Sequence, residues 1–551
     1  MMKSKSILTI AALLGVIGPT SQVQAITPAA EGTPFQILGH IQKFTLFNAA
    51  DLATFCPGIP LGLGLEGARM TVNGIQVIIP CNTIVTMPAT YLTPKDIFDY
   101  NPNKVAGESG LALEDSKPPL AAIEVALDGN IVNVGGVARH VAGLVHISQQ
   151  SLNSGAGYIN AIDLDGTLHI GASLTPVPLA DARVRINDSQ GRFGLQTSFL
   201  GPGLVPPADA PGAIKITEDG RFTADTGNPT IHAKTGFPMC IPRTRASDGK
   251  STDSLCPEKN RPSSGGTPLG FFVMGPNPLP PPAPGSPAIP NCSACDPEEQ
   301  APLMVGDYIN YAGTLAKDST GTYISAHTID AWVGIYTAPG APVAYVNQEV
   351  SLIGTGTRTT DLVPNPVGGG AIAQEAAPRT IKVKGFTTDP SRSISVVALS
   401  VNSAGTPTPL LVGTVATDPI PFGRFRFIIT RASVGRKLTV PNSPPVFTVT
   451  SPVKEIRVVV PSAVKTPVAN GLTSGQFDAP LSEFIFAENT FFGDPLVPFN
   501  FHRFCYLASG SGPLTTAGRT AGPSVGQLVP WPGNAGTPFG SPPSPNPPTC
   551  P

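Results

Sequence analysis

Three histidines are the residues in this sequence whose type and spacing come closest to metal chemistry. His140, His146 and His169 fall within one stretch of strand-like alternation. The first two are separated by an even number of positions, so an uninterrupted strand would place both on one face, and neutral imidazoles there could hold zinc or copper. However, Ala142-Gly143 favours a break between them, and no further ligand stands at a standard spacing. We therefore expect no metal site, with these three histidines as the candidates if one exists.

Two short motifs resemble known functional signatures. Ser524 is the centre of a G-x-S-x-G motif, but a nucleophile elbow needs a strand before the serine and a helix after it. The Gly- and Pro-rich flanks predict neither, so we interpret 522–526 as a loop. Asp163 and Asp165 resemble part of a calcium loop, yet the closing glutamate of the twelve-residue pattern is absent. The Asp-Gly pair at 165–166 is explained by a tight turn.

Three acidic residues fall in the Phe-rich region 477–506, namely Glu483, Glu488 and Asp494. A glycosidase holds two carboxylates about 5 to 10 Å apart, and the sequence does not define such a pair here. Solvent-facing charges between buried phenylalanines explain them equally well. The sequence therefore predicts no catalytic residue and no cofactor.

The first 25 residues have the layout of a secretory signal peptide. Lys3 and Lys5 precede an apolar run over 7–18, and a small-residue cleavage site ends at Ala25. The run is shorter than the roughly 20 residues that a membrane-spanning helix needs. We expect removal of residues 1–25, no transmembrane segment, and a secreted or extracellular protein, with the periplasm as the alternative.

The cysteines fit an oxidising compartment. Eight follow the signal peptide, at Cys56, Cys81, Cys240, Cys256, Cys292, Cys295, Cys505 and Cys550. An even number in an exported chain favours disulfides, and pairing of sequence neighbours predicts 56–81, 240–256, 292–295 and 505–550. The C-x-x-C at 292–295 could instead pair with 240 and 256. Zinc or redox chemistry is a further alternative, but the Pro-rich surroundings lack the helix start that lowers a thiol pKa.

Composition favours strands and turns over helices. The chain contains 63 prolines and 59 glycines, which break helices and occupy turns. Only 13% of residues are charged, against about 25% in ordinary soluble domains. The sequence has no basic stripe of the kind that binds nucleic acid, so we expect no nucleic-acid partner. We expect an all-β fold of several small barrel or sandwich modules, with long Pro/Gly-rich loops and disulfide staples.

Local patterns predict individual elements of this fold. Asn-Gly at 73–74 and Asp-Gly at 128–129 predict hairpin turns. Short helices are predicted over 48–55 and after Thr93, where proline occupies the first helical position.

A weak internal repeat is also visible. Segment 67–74 resembles 181–188, and 378–385 is a third, partial match. This similarity predicts two related small barrels in the N-terminal half.

These observations divide the chain into five parts. The parts are the signal peptide 1–25, an N-terminal β domain 26–199, a Cys/Pro-rich loop region and linker 200–302, a sandwich-like second β region 303–460, and a Phe-rich arm with a Pro-rich tail 461–551. An exposed run of phenylalanines would exceed the apolar patches of soluble monomers, so we expect the arm to pack against the second β region.

The lack of a catalytic constellation, together with disulfides and low charge, favours a secreted non-enzymatic β protein with a structural or surface-interaction role. Its partner would be a cell surface, a polysaccharide or another protein. The alternative is a secreted hydrolase of polysaccharide or ester substrates, with a site assembled from distant residues. A deep pocket holding two carboxylates, or a Ser–His pair, would favour the hydrolase.

Overall fold

The structure, a computed structural model, describes much of the chain between residues 33 and 532. The described residues are 33–147, 153–174, 181–194, 218–225, 227–243, 251–275, 289–355, 362–364, 371–373, 378–401, 407–419, 423–430, 453–466, 468–481, 483–485, 499, 501, 504–514 and 522–532. Strands make up 46% and helices 7%, which confirms the all-β prediction. Among the described helices, none has the length and apolar character needed to cross a bilayer.

The first module is a closed five-stranded barrel. Its elements are β1 (Thr33–Leu46), α1 (Ala49–Phe55), β2 (Ala68–Val72), β3 (Ile75–Ile79), β4 (Val85–Thr86), β5 (Tyr91–Leu92), α2 (Pro94–Asp99), β6 (Glu124–Val134) and β7 (Val137–Ile147). The ring runs β1-β2-β3-β7-β6 and returns to β1, with β3–β7 as its parallel pair. Strands β4 and β5 extend the sheet beyond β7. The arrangement is a small Greek-key barrel, which leaves few free edges.

Predicted caps and turns form much of this barrel. Asn48 and Thr93 each close a capping box at the start of a helix, satisfying backbone N–H groups that lack helical partners. Asn73 and Gly74 connect β2 to β3 with positive φ at both positions, as the predicted hairpin requires.

The hairpin predicted at Asp128-Gly129 is wrong. Both residues lie inside the continuous strand β6, beside a bulge opposite β7. Gly129 is required there because a Cβ would lie 2.2 Å from the backbone oxygen of Val141 on β7 and 2.5 Å from the ring of Phe35. The chain turns instead at Gly135 and Gly136, which both have positive φ.

The second module repeats the same ring. It is built from β8 (Asn153–Ile162), β9 (Leu168–Gly171), β10 (Ala182–Ile186), β18 (Tyr308–Asp318) and β19 (Gly321–Ala331). The order is β8-β9-β10-β19-β18, closing on β8. As in the first barrel, the third and fifth strands in chain order, here β10 and β19, form the parallel pair. The Asp-Gly turn at 165–166 connects β8 to β9, with Gly166 at positive φ.

A long insertion separates the third and fourth strands of the second barrel. Its elements are a 3₁₀ helix (Gly220–Phe222), β11 (Ile231–Ala233), β12 (Met239–Cys240), a second 3₁₀ helix (Glu258–Asn260), β13 (Ser263–Ser264), β14 (Thr267–Pro268), β15 (Phe271–Met274), β16 (Asn291–Cys292) and β17 (Ala301–Pro302). Strand β20 (Gly334–Thr337) follows the last strand of the barrel and pairs with β15. Strand β11 adds to the barrel sheet beside β19. Strands on either side of 200–302 therefore share one sheet, which differs from the predicted division at 199 and 302.

The third module contains two four-stranded sheets around one core. Its strands are β21 (Val350–Thr355), β22 (Leu362–Pro364), β23 (Ala371–Ala373), β24 (Pro378–Phe386), β25 (Ile394–Val401), β26 (Pro407–Val415), β27 (Arg424–Thr430), β28 (Glu455–Val459), β29 (Gln476–Pro480) and β30 (Glu483–Ile485). The sheets run β27-β24-β21-β30 and β26-β25-β28-β29. Val383 and Phe425 of the first sheet join Val396 and Ile456 of the second in one buried cluster.

The predicted arm 461–551 has two parts in the structure, and its strands β29 and β30 belong to the sheets of the third module. The described residues between 499 and 532, called the arm below, pack against this module and against the first barrel. They contain α3 (Cys505–Ala508), β31 (Gly512–Pro513) and β32 (Ser524–Val525). Phe499, Phe501, Phe504 and Trp531 belong to the core of the third module, and this core also includes Leu144 of the first barrel. The arm therefore contacts two modules.

Three of the predicted cysteine pairs lie at bonding distance. The Cα–Cα distances are 6.2 Å for Cys56–Cys81, 6.0 Å for Cys240–Cys256 and 5.4 Å for Cys292–Cys295. Each is within the range that a disulfide spans. The fourth predicted pair involves position 550, which lies outside the described residues.

Candidate functional site

Three aromatic side chains form a row across the outer face of the second barrel. Tyr308 pairs with Tyr158 of the neighbouring strand β8. On its other side the backbone N–H of Trp332 donates to the Tyr308 carbonyl oxygen at 2.8 Å. The ring centroids are 5.1 Å apart for Tyr158–Tyr308 and 5.7 Å for Tyr308–Trp332, with both pairs in edge-to-face geometry. We call these three residues the aromatic row.

Strand alternation explains why the row faces outward. Ile159, Ile309 and Ala331 are fully buried in the barrel core, and each is next in sequence to one member of the row. Because successive side chains on a strand point to opposite faces, the aromatic neighbours face away from the core. Trp332 is 62% exposed, while both tyrosines are half-buried.

A row of polar side chains lies one pleat behind the aromatic row. Asn310 pairs with Asp330 across β18 and β19, and Asp330 pairs with His232 of β11. These residues stand two positions from the row, or about 7 Å along the strands, on the same face. We call Asn310, Asp330 and His232, together with Lys234, the polar row.

Lys234 and Asp330 are joined by an ion pair of 2.8 Å, and Lys234 also contacts Glu349. Partial burial lowers the pKa of Lys234, but the two carboxylates outweigh this effect and raise it above its usual value. Lys234 is therefore a stable cation at neutral pH. The buried Oδ1 atom of Asp330 has no hydrogen-bond partner among the described residues, and His232 Nδ1 lies 3.8 Å from it.

The other end of the aromatic row is also polar. Tyr158 pairs with Gly171 of β9, where a Cβ would lie 2.2 Å from Asp181 and 2.4 Å from Asn160. Asn160 donates to Asp181 at 2.9 Å, and its own Oδ1 has no partner among the described residues. The aromatic row is thus bordered by hydrogen-bonding groups at its end and along one side.

The three candidate histidines do not come together. His140 and His146 lie on β7 of the first barrel, and His169 lies on β9 of the second, 2.8 Å from Asp163. Burial lowers the pKa of His146 to about 4. No group of three His, Cys, Asp or Glu side chains placed to hold a metal occurs among the residues that the structure describes.

The remaining motifs have structural explanations where they are described. Ser524 is exposed in the short strand β32, and no helix follows it within 522–532. Cys292 and Cys295 are bonded to each other. Glu483 lies on β30 beside β21, while 488 and 494 lie outside the described residues.

A small cleft lies where the first barrel, the third module and the arm meet. Its lining is Thr86, Leu144, His146, Val453, Lys454, Pro480, Leu481, Phe504 and Tyr506. Among these described lining residues there is no carboxylate and no serine. The cleft therefore has neither the carboxylate pair nor the Ser–His pair that would favour a hydrolase.

Sequence reasoning missed the aromatic row. Its members come from β8, β18 and the end of β19, and the first two are separated by the whole insertion. Trp332 is one of only two tryptophans, and its position just after a strand was the one available signal.

Comparison of the chain with protein-family models, with curated proteins and with solved structures found no match.

Proposed function

We propose that this chain is an exported, non-enzymatic interaction protein that attaches to its partner through the aromatic row. The exposed Trp332 is the observation that carries the proposal. A large aromatic ring at 62% exposure, beside two half-buried tyrosines, provides apolar contact area with polar atoms at its edges. Tryptophan and tyrosine are enriched at binding surfaces for this reason.

The position of the row supports the same function. Tyr158 and Tyr308 lie on paired strands of a closed barrel, and strands hold side chains more precisely than loops do. Trp332 directly follows β19, and its backbone N–H is bonded to the Tyr308 carbonyl oxygen. Edge-to-face packing on Tyr308 fixes one side of Trp332. A surface held in this way loses little side-chain entropy on binding.

Export is tested first. Protein recovered from outside the producing cells should begin at Ile26. Recovery from the cytoplasm with residues 1–25 still attached would contradict the proposal.

Attachment is tested by sedimenting the full chain with washed envelopes of the producing cells. Trp332→Ala should weaken binding about tenfold or more, because truncation of a central aromatic contact typically costs at least that much. Leu164→Ala is the matched control, since Leu164 is 60% exposed in a turn of the same barrel. Equal binding by both variants would refute a role for the row. Release of soluble sugar or hydrolysed ester from the envelopes would support the hydrolase alternative.

A further inference from the structure

We infer that the aromatic row and the polar row together bind a neutral polysaccharide. This inference rests on the proposed function and names the partner of the same surface. A pyranose ring has an apolar C–H face and a rim of hydroxyl groups. The outer face of the second barrel has the complementary layout, with aromatic rings in one row and hydrogen-bonding groups in the next.

The polar row has the groups that sugar hydroxyls need. A hydroxyl both donates and accepts hydrogen bonds. Asn310 has both an amide donor and an acceptor, Lys234 is a partly exposed donor, and the Asp330 carboxylate, whose Oδ1 is buried, holds Lys234 in place. Ligand hydroxyls that approach over Trp332 would meet Asn310 about one pleat away and Lys234 just after β11, the strand beside β19.

The charge balance favours a neutral sugar over an anionic one. Lys234 is already paired with Asp330 and Glu349, so its ammonium group is not free to pair with a carboxylate or sulfate. An acidic sugar placed here would meet the Asp330 carboxylate without gaining Lys234 as a counter-ion. A neutral chain needs no counter-ion.

The same pattern argues against a protein partner. The buried centre of a protein–protein interface is depleted of charged residues, whereas here Asp330 and Lys234 directly border the rings. Because the row crosses three chain segments, it has room for more than one sugar unit, which favours a polymer or oligosaccharide over a monosaccharide.

The test uses the full chain and soluble neutral polysaccharides (hydroxyethyl cellulose, xylan, galactomannan, laminarin and dextran), with alginate as the anionic comparison. Binding is measured by affinity electrophoresis and by tryptophan fluorescence. Trp531 is only 4% exposed, so a spectral shift on binding reports Trp332. We expect at least one neutral polysaccharide to retard the protein and shift its emission.

Three variants separate stacking from hydrogen bonding. Trp332→Ala should weaken binding about tenfold or more, Trp332→Phe should retain part of it, and Asp330→Asn should weaken it while leaving the melting temperature within a few degrees. Leu164→Ala should bind as the wild type does.

The outcomes distinguish the inference from the proposed function. If Trp332→Ala loses envelope binding but no neutral polysaccharide binds or competes, the sugar inference is wrong and the attachment role stands. Binding to alginate alone also overturns the inference. If Trp332→Ala changes neither envelope nor polysaccharide binding, the proposed function fails as well.

Discussion

Asn130 ties the first barrel to the C-terminal arm, and its removal should release the arm. It lies on β6 and is 0% exposed. Its Nδ2 donates to the carbonyl oxygens of Phe499 at 2.9 Å and Pro532 at 2.7 Å, and its Oδ1 accepts from the Phe499 backbone N–H at 2.8 Å. A single amide side chain therefore satisfies three backbone groups of the arm.

Asn130→Ala would leave these three groups without their partner. A buried polar group left unsatisfied costs about 1–3 kcal/mol. If the arm stayed docked, the three groups together would lower the free energy of unfolding by about 3–9 kcal/mol. The arm can move into water instead, which limits the measured loss to the docking free energy of the arm. We therefore expect destabilisation near the lower end of this range, about 3 kcal/mol, with faster proteolysis between 499 and 532.

The assay is urea unfolding of the full chain together with limited proteolysis. Asn133→Ala is the matched control, because Asn133 lies on the same strand but is exposed and should change stability by no more than about 0.5 kcal/mol. Gly143→Ala should release the arm by a different route, since its Cβ would lie 2.4 Å from the Phe501 ring. Equal unfolding and proteolysis of the Asn130 and Asn133 variants would refute the reasoning.

Three further predictions concern the core and the crosslinks. Asp307→Ala should destabilise the chain by about 3–5 kcal/mol in urea, because it leaves the fully buried guanidinium of Arg261 without its carboxylate; a loss below 1 kcal/mol would contradict this. His327 is buried with its pKa lowered to about 4, whereas the unfolded chain takes up this proton near pH 6.5. The contribution of His327 to the free energy of unfolding should therefore fall as the pH drops from 6.5 to 4, so relative to the wild type His327→Gln should gain about 3 kcal/mol over that window; parallel urea midpoints would disprove it. Titration of unfolded, non-reduced protein should find no free thiol, and two or more reactive thiols would disprove full pairing.

Short-range features of this fold could be predicted from the sequence because their causes are local. Asn48 and Thr93 cap helices through contacts three residues away, and the Asn-Gly pair at 73–74 fixes its turn by backbone conformation alone. The Asp-Gly pair at 128–129 failed because Gly129 is required by Phe35, which is distant in sequence. Tertiary packing, and not turn formation, selects that glycine.

The sequence similarity that predicted two related barrels does not align their strands. Segment 67–74 covers β2, the second strand of the first barrel, whereas 181–188 covers β10, the third strand of the second. Both segments alternate apolar and polar residues, and alternation marks a strand without marking its place in the ring. The aromatic row could not be predicted from the sequence, because the strand pairing that places Tyr308 beside Tyr158 joins distant parts of the chain and leaves no local sequence pattern.

The interrupted second barrel has a consequence for how the chain is made. The first barrel is complete once residue 147 has been synthesised, but β8, β9 and β10 must wait for β18 and β19, which lie beyond the insertion. The entropy of closing a loop rises by only about 0.6 kcal/mol per doubling of its length, so the insertion delays folding more than it weakens the product. Until residue 331 emerges, β8 and β10 present unpaired edges on either side of β9, and such edges readily join other chains. A nascent chain stalled within the insertion is therefore the species most exposed to aggregation.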